Sequence, residues 1–132
     1  MIRLRSALVA SVLCMTPVMA QAEGFVTTDL GAAGDLDSCM FRAQRSLNFL
    51  AMEPRNGGAT VYSGPWSVAV YDMQPGSVDA TIVCPLRDNQ VPVALVLAHS
   101  DGPESERVAV VNYVVDRWNA TGQARDPGAV GK

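Results

Sequence analysis

The sequence predicts a two-layer α+β sandwich in the order helix, three antiparallel strands, helix. Both helices lie on one face of the sheet, and one disulfide joins the layers. Three observations point there. Residues 36–50 carry apolar side chains at helical spacing. Residues 66–100 hold three segments of period two, separated by short turns. One cysteine falls on the helix and another in the middle strand. Antiparallel strands flanked by helices on one side bury a single core between two layers.

The first 22 residues, MIRLRSALVASVLCMTPVMAQA, have the anatomy of a secretory signal peptide. Arg3 and Arg5 give a basic start. Ala7 to Met15 is apolar except for Ser11, and Ala20-Gln21-Ala22 fits a small-x-small cleavage site. The run is shorter than the ~20 residues that span a bilayer. Leu13 stands before Cys14, where a lipoprotein signal would place a small residue. Cleavage after Ala22 leaves one domain over 23–119 and a polar, glycine-rich tail over 120–132. It also leaves 8 basic against 13 acidic residues, a net charge of −5. Without a basic stripe, nucleic-acid binding is not expected. Without a second long apolar span, no membrane association is expected after cleavage. The expected location is the periplasm or the medium outside the cell.

Residues 23–34, with three glycines, read as an exposed lead-in with a short extended piece at 25–27. The first helix runs from about Asp37 to Met52, capped by Asp35 or Asp37. Leu36, Cys39, Met40, Ala43, Leu47 and Leu50 share one face of it. Phe41, Phe49 and Met52 fall toward the Arg45 side, where the lead-in or the tail is expected to cover them. Glu53-Pro54 ends the helix, because the residue before proline avoids helical geometry. Residues 59–63 fit a short strand or an extended lead.

The expected strands are 66–73, 78–84 and 91–100. QPGS (74–77) and PLRDNQ (85–90) supply the turns between them. Pro92 stands near a strand start, where proline is tolerated. In the middle strand, Val78, Ala80, Ile82 and Cys84 form the more apolar set and face the helices. The second helix starts within 101–106, with Asp101 and Glu104 as a capping box or Pro103 as its first residue. It runs to about Asn119, with Val108, Val111, Val114, Val115 and Trp118 on one side.

Cys39 and Cys84 therefore point into the same layer, and an exported chain favours their oxidation. Their separation in sequence and their apolar phase fit a structural bridge better than a redox-active pair.

The opposite face of the sheet is expected to be open. It would carry Ser67, Ala69, Tyr71, Asp79, Thr81, Val83, Ala94, Val96 and Ala98, with Val93, Leu95 and Leu97 facing the helices. That surface is small and weakly polar, so Ala69, Tyr71, Thr81, Val83 and Val96 are the candidate interface for a second copy or a protein partner.

Candidate chemistry is sparse. His99 is the sole histidine and sits beside Ser100 and Asp101. Adjacent strand residues point to opposite faces, so His99 and Ser100 cannot act as base and nucleophile within a strand. His99 shares the phase of Leu95 and Leu97 and is expected at the core rim. Asp101, Glu104 and Glu106 suit a helix start better than a metal site. Two cysteines and one histidine supply too few ligands for zinc. Met40, Met52, Met73 and His99 lack the spacing of a copper site. No catalytic, cofactor or metal residue is assigned. The favoured reading is a non-catalytic periplasmic binding or interaction module. Its rival is a small hydrolase-like enzyme using His99 and nearby acids.

DSCMFRAQRSL, GGATVYSG and VDATIVCP, followed by a valine-rich third strand and a final helix, make a recognisable order. It resembles small exported proteobacterial proteins of unknown function with one cysteine in the first helix and one in a central strand. The resemblance implies a periplasmic, disulfide-tied α/β domain. It carries over no activity, ligand or catalytic residue.

Overall fold

A computed structural model describes residues 24–123. The expected signal peptide and residues 124–132 of the expected tail lie outside them. The described chain is an antiparallel sheet covered on one face by two helices, with a disulfide between the layers. The elements are β1 (Gly24–Gly31), α1 (Leu36–Ala51), β2 (Thr60–Ser63), β3 (Ser67–Met73), β4 (Val78–Val83), β5 (Ala94–Ser100) and α2 (Glu104–Gln123). The sheet order is β1-β5-β4-β3-β2, so β4 is the central strand.

Two strands flank the expected three. β2 pairs with β3 through Thr60↔Tyr71 to Ser63↔Val68. The expected lead-in is instead an eight-residue edge strand, β1, paired with β5 from Gly24↔Ser100 to Gly31↔Ala94. Its run of Phe25, Val26, Thr27 and Thr28 has the β-branched and aromatic content that strands favour, and the glycines at its ends obscure that signal.

Asp35 caps α1, its side chain accepting from the Ser38 N–H at 2.7 Å. The buried stripe is Cys39, Ala43, Ser46, Leu47 and Leu50, with Leu36 and Met40 half-buried beside it. After α1 a single 3₁₀ turn, Pro54–Asn56, carries a buried asparagine. Asn56 donates to the Leu50 carbonyl at 2.7 Å and accepts from the Gln74 N–H at 2.8 Å. One amide thereby ties the end of α1 to the β3–β4 turn.

α2 runs to Gln123, four residues beyond the expected end at Asn119. Its inward row is Arg107, Val110, Val111, Val114 and Trp118. Val108 is exposed, contrary to the expected stripe, because Arg107 takes the inward position one residue earlier. Trp118 is the largest fully buried side chain. Its indole N–H donates to the Leu30 carbonyl at 3.0 Å. The Arg42 guanidinium lies 4.0 Å from the Trp118 ring centroid and bonds the Trp118 carbonyl through Nε and Nη2. Trp118 thus joins β1, α1 and α2.

The phase of β5 is the main correction. Ala94, Val96 and Ala98 are fully buried under the helices, while Leu95, Leu97 and His99 face away. Register fixes this. Ala98 sits opposite Ala80 and Val96 opposite Ile82, and directly opposed residues share a face. The face of Ile82 also carries Cys84, which the disulfide pins to α1. Val96 is therefore a core residue and is withdrawn from the candidate interface.

A register shift between Val70 and Met73 produces a second phase change. Asp72 adopts φ 61, and Met73 turns inward opposite Val78. Both Tyr71 and Asp72 are left exposed.

Candidate functional site

Residues alternate across each strand, so the registers define the open face row by row. Its middle row runs Thr27, Leu97, Thr81, Ala69, Tyr62 from β1 to β2. A second row holds Phe25, His99 and Asp79, with Tyr71 and Thr60 at the β2 edge. A third holds Asp29, Leu95, Val83 and Ser67. Of the candidate interface, Ala69, Tyr71, Thr81 and Val83 lie on this face. Leu95 and Leu97 replace Val96, which makes the surface more apolar than the sequence suggested.

Aromatic side chains mark both edges. Phe25 is 68% exposed and stacks on the His99 ring at a centroid distance of 4.7 Å. Tyr62 and Tyr71 meet edge to face at 5.5 Å on the opposite side. A shallow depression lined by Thr60, Tyr62, Tyr71 and Asp72 opens there. Thr81, Leu97 and Ala69 lie between these ridges and are half-buried.

His99 is on the open face, not at the core rim, because the whole β5 phase is reversed from the expected one. Ser100 turns inward and is 6% exposed. Its carbonyl and hydroxyl both accept from Arg107 Nη1, at 3.0 and 3.4 Å. His99 and Ser100 are thus held on opposite faces. Asp79 is the β4 residue directly across from His99, and its carboxylate accepts from the Asp72 N–H at 3.2 Å. Met73 is buried, Met40 half-buried and Met52 83% exposed. Among the described residues no group of three or more His, Cys, Asp or Glu could hold a metal ion. No described helix is long and apolar enough to cross a membrane.

Sequence reasoning missed Arg107. Besides Ser100, its Nη1 reaches the Gly102 carbonyl at 2.6 Å, while its buried Nε has no partner. It clamps the β5–α2 turn from inside. Gly24 lies so close that a side-chain carbon there would overlap the guanidinium. The charged type at an inward helical position gave no sign of this, because its partners are two backbone carbonyls and a serine hydroxyl and not an acid.

The predicted bridge is present. Cys39 and Cys84 are disulfide-bonded with Cα atoms 6.1 Å apart, and neither is exposed. A buried disulfide is compatible with an oxidising compartment. Comparison of the chain with protein-family models, curated proteins and solved structures returned no match.

Proposed function

We propose that this chain is an exported, non-catalytic interaction module that pairs with a second copy of itself through the open sheet face. The observation that carries this is the placement of Leu95 and Leu97 on the face turned from both helices, between aromatic ridges at Phe25 and at Tyr62–Tyr71. Sheets pack face to face with interleaved apolar side chains. Five strands at ~4.8 Å and about six residues at ~3.3 Å give a footprint of roughly 500 Å². Two copies therefore bury about 1,000 Å², the lower bound for a specific interface. The resulting dimer is weak and concentration-dependent. Export is supported by the signal-like residues 1–22, by the Cys39–Cys84 bridge and by the resemblance to small exported proteins.

Sedimentation of the oxidised chain from micromolar to millimolar concentration tests the pairing. The expected result is a monomer–dimer equilibrium that Leu97→Glu abolishes without changing the unfolding temperature. A single monomeric species at the highest concentration, or a dimer indifferent to Leu97→Glu, overturns it.

A further inference from the structure

The β2 edge of the open face holds a corner with chemistry of its own. Tyr62 stands opposite Ala69 and Tyr71 opposite Thr60, so the two tyrosines are diagonal neighbours on one face. Their ring centroids are 5.5 Å apart and their planes are inclined by 71°. Tyr62 is 59% and Tyr71 44% exposed. Two inclined rings present two walls to one rounded group, where parallel rings would present a slot.

Asp72 adds a charge to this corner. β3 takes three steps from Val70 to Met73 while β4 takes two from Ala80 to Val78, so β3 carries one extra residue there. An inserted residue bends its strand and re-aims a side chain. Asp72 sits at φ 61, a left-handed conformation that aspartate adopts more readily than most residues. Its N–H donates to the Asp79 carboxylate at 3.2 Å, which holds the backbone in that turn. The result is an exposed carboxylate beside two aromatic rings. Among the described residues, Thr60, Tyr62, Tyr71 and Asp72 line a depression of about 440 Å³. That lies within the ~300–1,000 Å³ typical of small-molecule sites.

An exposed carboxylate alone attracts any cation, and only weakly. Tyrosine faces add selectivity, because the ring quadrupole attracts a cation that can lie against it. A compact ammonium is strongly hydrated and keeps its water. A planar guanidinium lies flat on one ring only. A quaternary ammonium is rounded and spreads its charge over methyl groups, so it meets both inclined rings and the carboxylate together. The whole chain carries a formal charge of −3, which draws cations toward it.

We propose that this corner binds a quaternary ammonium group, its methyls against Tyr62 and Tyr71 and its charge toward Asp72. The groups that are present carry the choice: two exposed ring faces at a steep angle and one carboxylate turned out beside them. The site is complete in one chain and does not require sheet pairing.

Amide-resolved NMR titration of the oxidised full chain with choline, its uncharged carbon isostere neohexyl alcohol, and ammonium chloride tests it. Choline is expected to saturate one site, with shifts centred on Tyr62, Tyr71 and Asp72. The isostere is expected to bind at least about fivefold more weakly, and ammonium to give no saturable shift there. Asp72→Asn retains a residue that tolerates the left-handed turn, and Tyr62→Leu retains apolar contact without a ring face. Each is expected to weaken choline about two- to fivefold, with an unchanged unfolding temperature for Asp72→Asn. Co-sedimentation with phosphatidylcholine vesicles that Tyr62→Leu reduces would also support the site and assign its ligand to a lipid headgroup; choline binding without it assigns a free solute. Equal binding of choline and the isostere, no saturation by choline, or binding indifferent to Asp72→Asn or to Tyr62→Leu overturns the proposal. Leu97→Glu, which removes sheet pairing, is expected to bind choline as the parent does, so failure of pairing and failure of this corner are separate results.

Discussion

Reducing the Cys39–Cys84 bridge is the most informative perturbation of this fold. The bridge closes a loop with a sequence separation of 45, which encloses most of α1 and all of β2, β3 and β4. In the chain-entropy treatment a loop of that size removes ~13 cal/mol/K from the unfolded chain, or about 4 kcal/mol at 25 °C. Domains of this class are stable by only about 5–15 kcal/mol, so the bridge supplies a large fraction of the total. At ~2.1 cal/mol/K per residue, the 100 described residues unfold with an entropy near 0.2 kcal/mol/K, so the loss equals a fall of roughly 20 °C in Tm. The assay is reversible urea unfolding by circular dichroism, comparing oxidised chain, reduced chain and the double variant Cys39→Ala/Cys84→Ala. Both sulfurs are fully buried. The reduced chain must therefore fit two separate thiols where a bonded pair sat, and the alanine variant leaves a small cavity instead. Loop entropy is common to both, so both should lose about 4 kcal/mol. A loss below about 1 kcal/mol in either would refute the claim that this bridge, and not packing of α1 alone, holds the two layers together.

Three further outcomes follow from individual contacts. Trp118→Phe removes the bond to the Leu30 carbonyl and part of the ring under Arg42, and should cost about 2–4 kcal/mol in urea unfolding. Gly24→Ala places a methyl against the Arg107 guanidinium, and by overpacking should cost about 1–3 kcal/mol. Asp35 is held below the usual carboxylate range chiefly by the Ser38 N–H, so its charged form is favoured by folding. Its contribution is present in full above the ordinary aspartate value of about 3.9 and is lost as pH falls through the lowered value. Thermal unfolding should therefore show Asp35→Ala less stable than the parent at neutral pH, with the difference closing in strong acid. Asp35→Asn, which caps without ionising, should not show that closure.

The layers and the covalent link between them were legible because each rested on a strong local pattern. The 3.6-residue stripe on α1 and the alternation ending at Cys84 placed both sulfurs in one layer, and they are bonded there. The edge strands were less legible. β2 is four residues long, and β1 hides its alternation between two glycine-bearing ends. The phase of β5 was misread because hydrophobic size is a poor guide when both faces of a strand are apolar. ALVLAH (94–99) alternates small and large residues, and the large set does not fill the core. Pairing with β4 sets Val96 opposite Ile82 and Ala98 opposite Ala80, a tertiary condition that no single strand encodes.

That reversal changes what the surface says. Trp118 is the only aromatic side chain in the buried core, which is otherwise built from valine, leucine, isoleucine, alanine, methionine and the bridged cysteines. Six aromatics are exposed: Phe25, Phe41, Phe49, Tyr62, Trp66 and Tyr71. A chain that needed aromatics only for stability would bury them, since each contributes more buried area than any aliphatic side chain. Here the disulfide supplies cohesion that a small core would otherwise draw from large rings, which leaves those rings on the outside. Phe25, Tyr62 and Tyr71 stand on the open sheet face, and Phe49 packs under the Arg117 guanidinium on the outer side of α1. Aromatic and arginine side chains are the residues that dominate binding at protein surfaces. The same substitution of covalent for hydrophobic stabilisation therefore accounts for the aliphatic core and for the aromatic residues on the open sheet face.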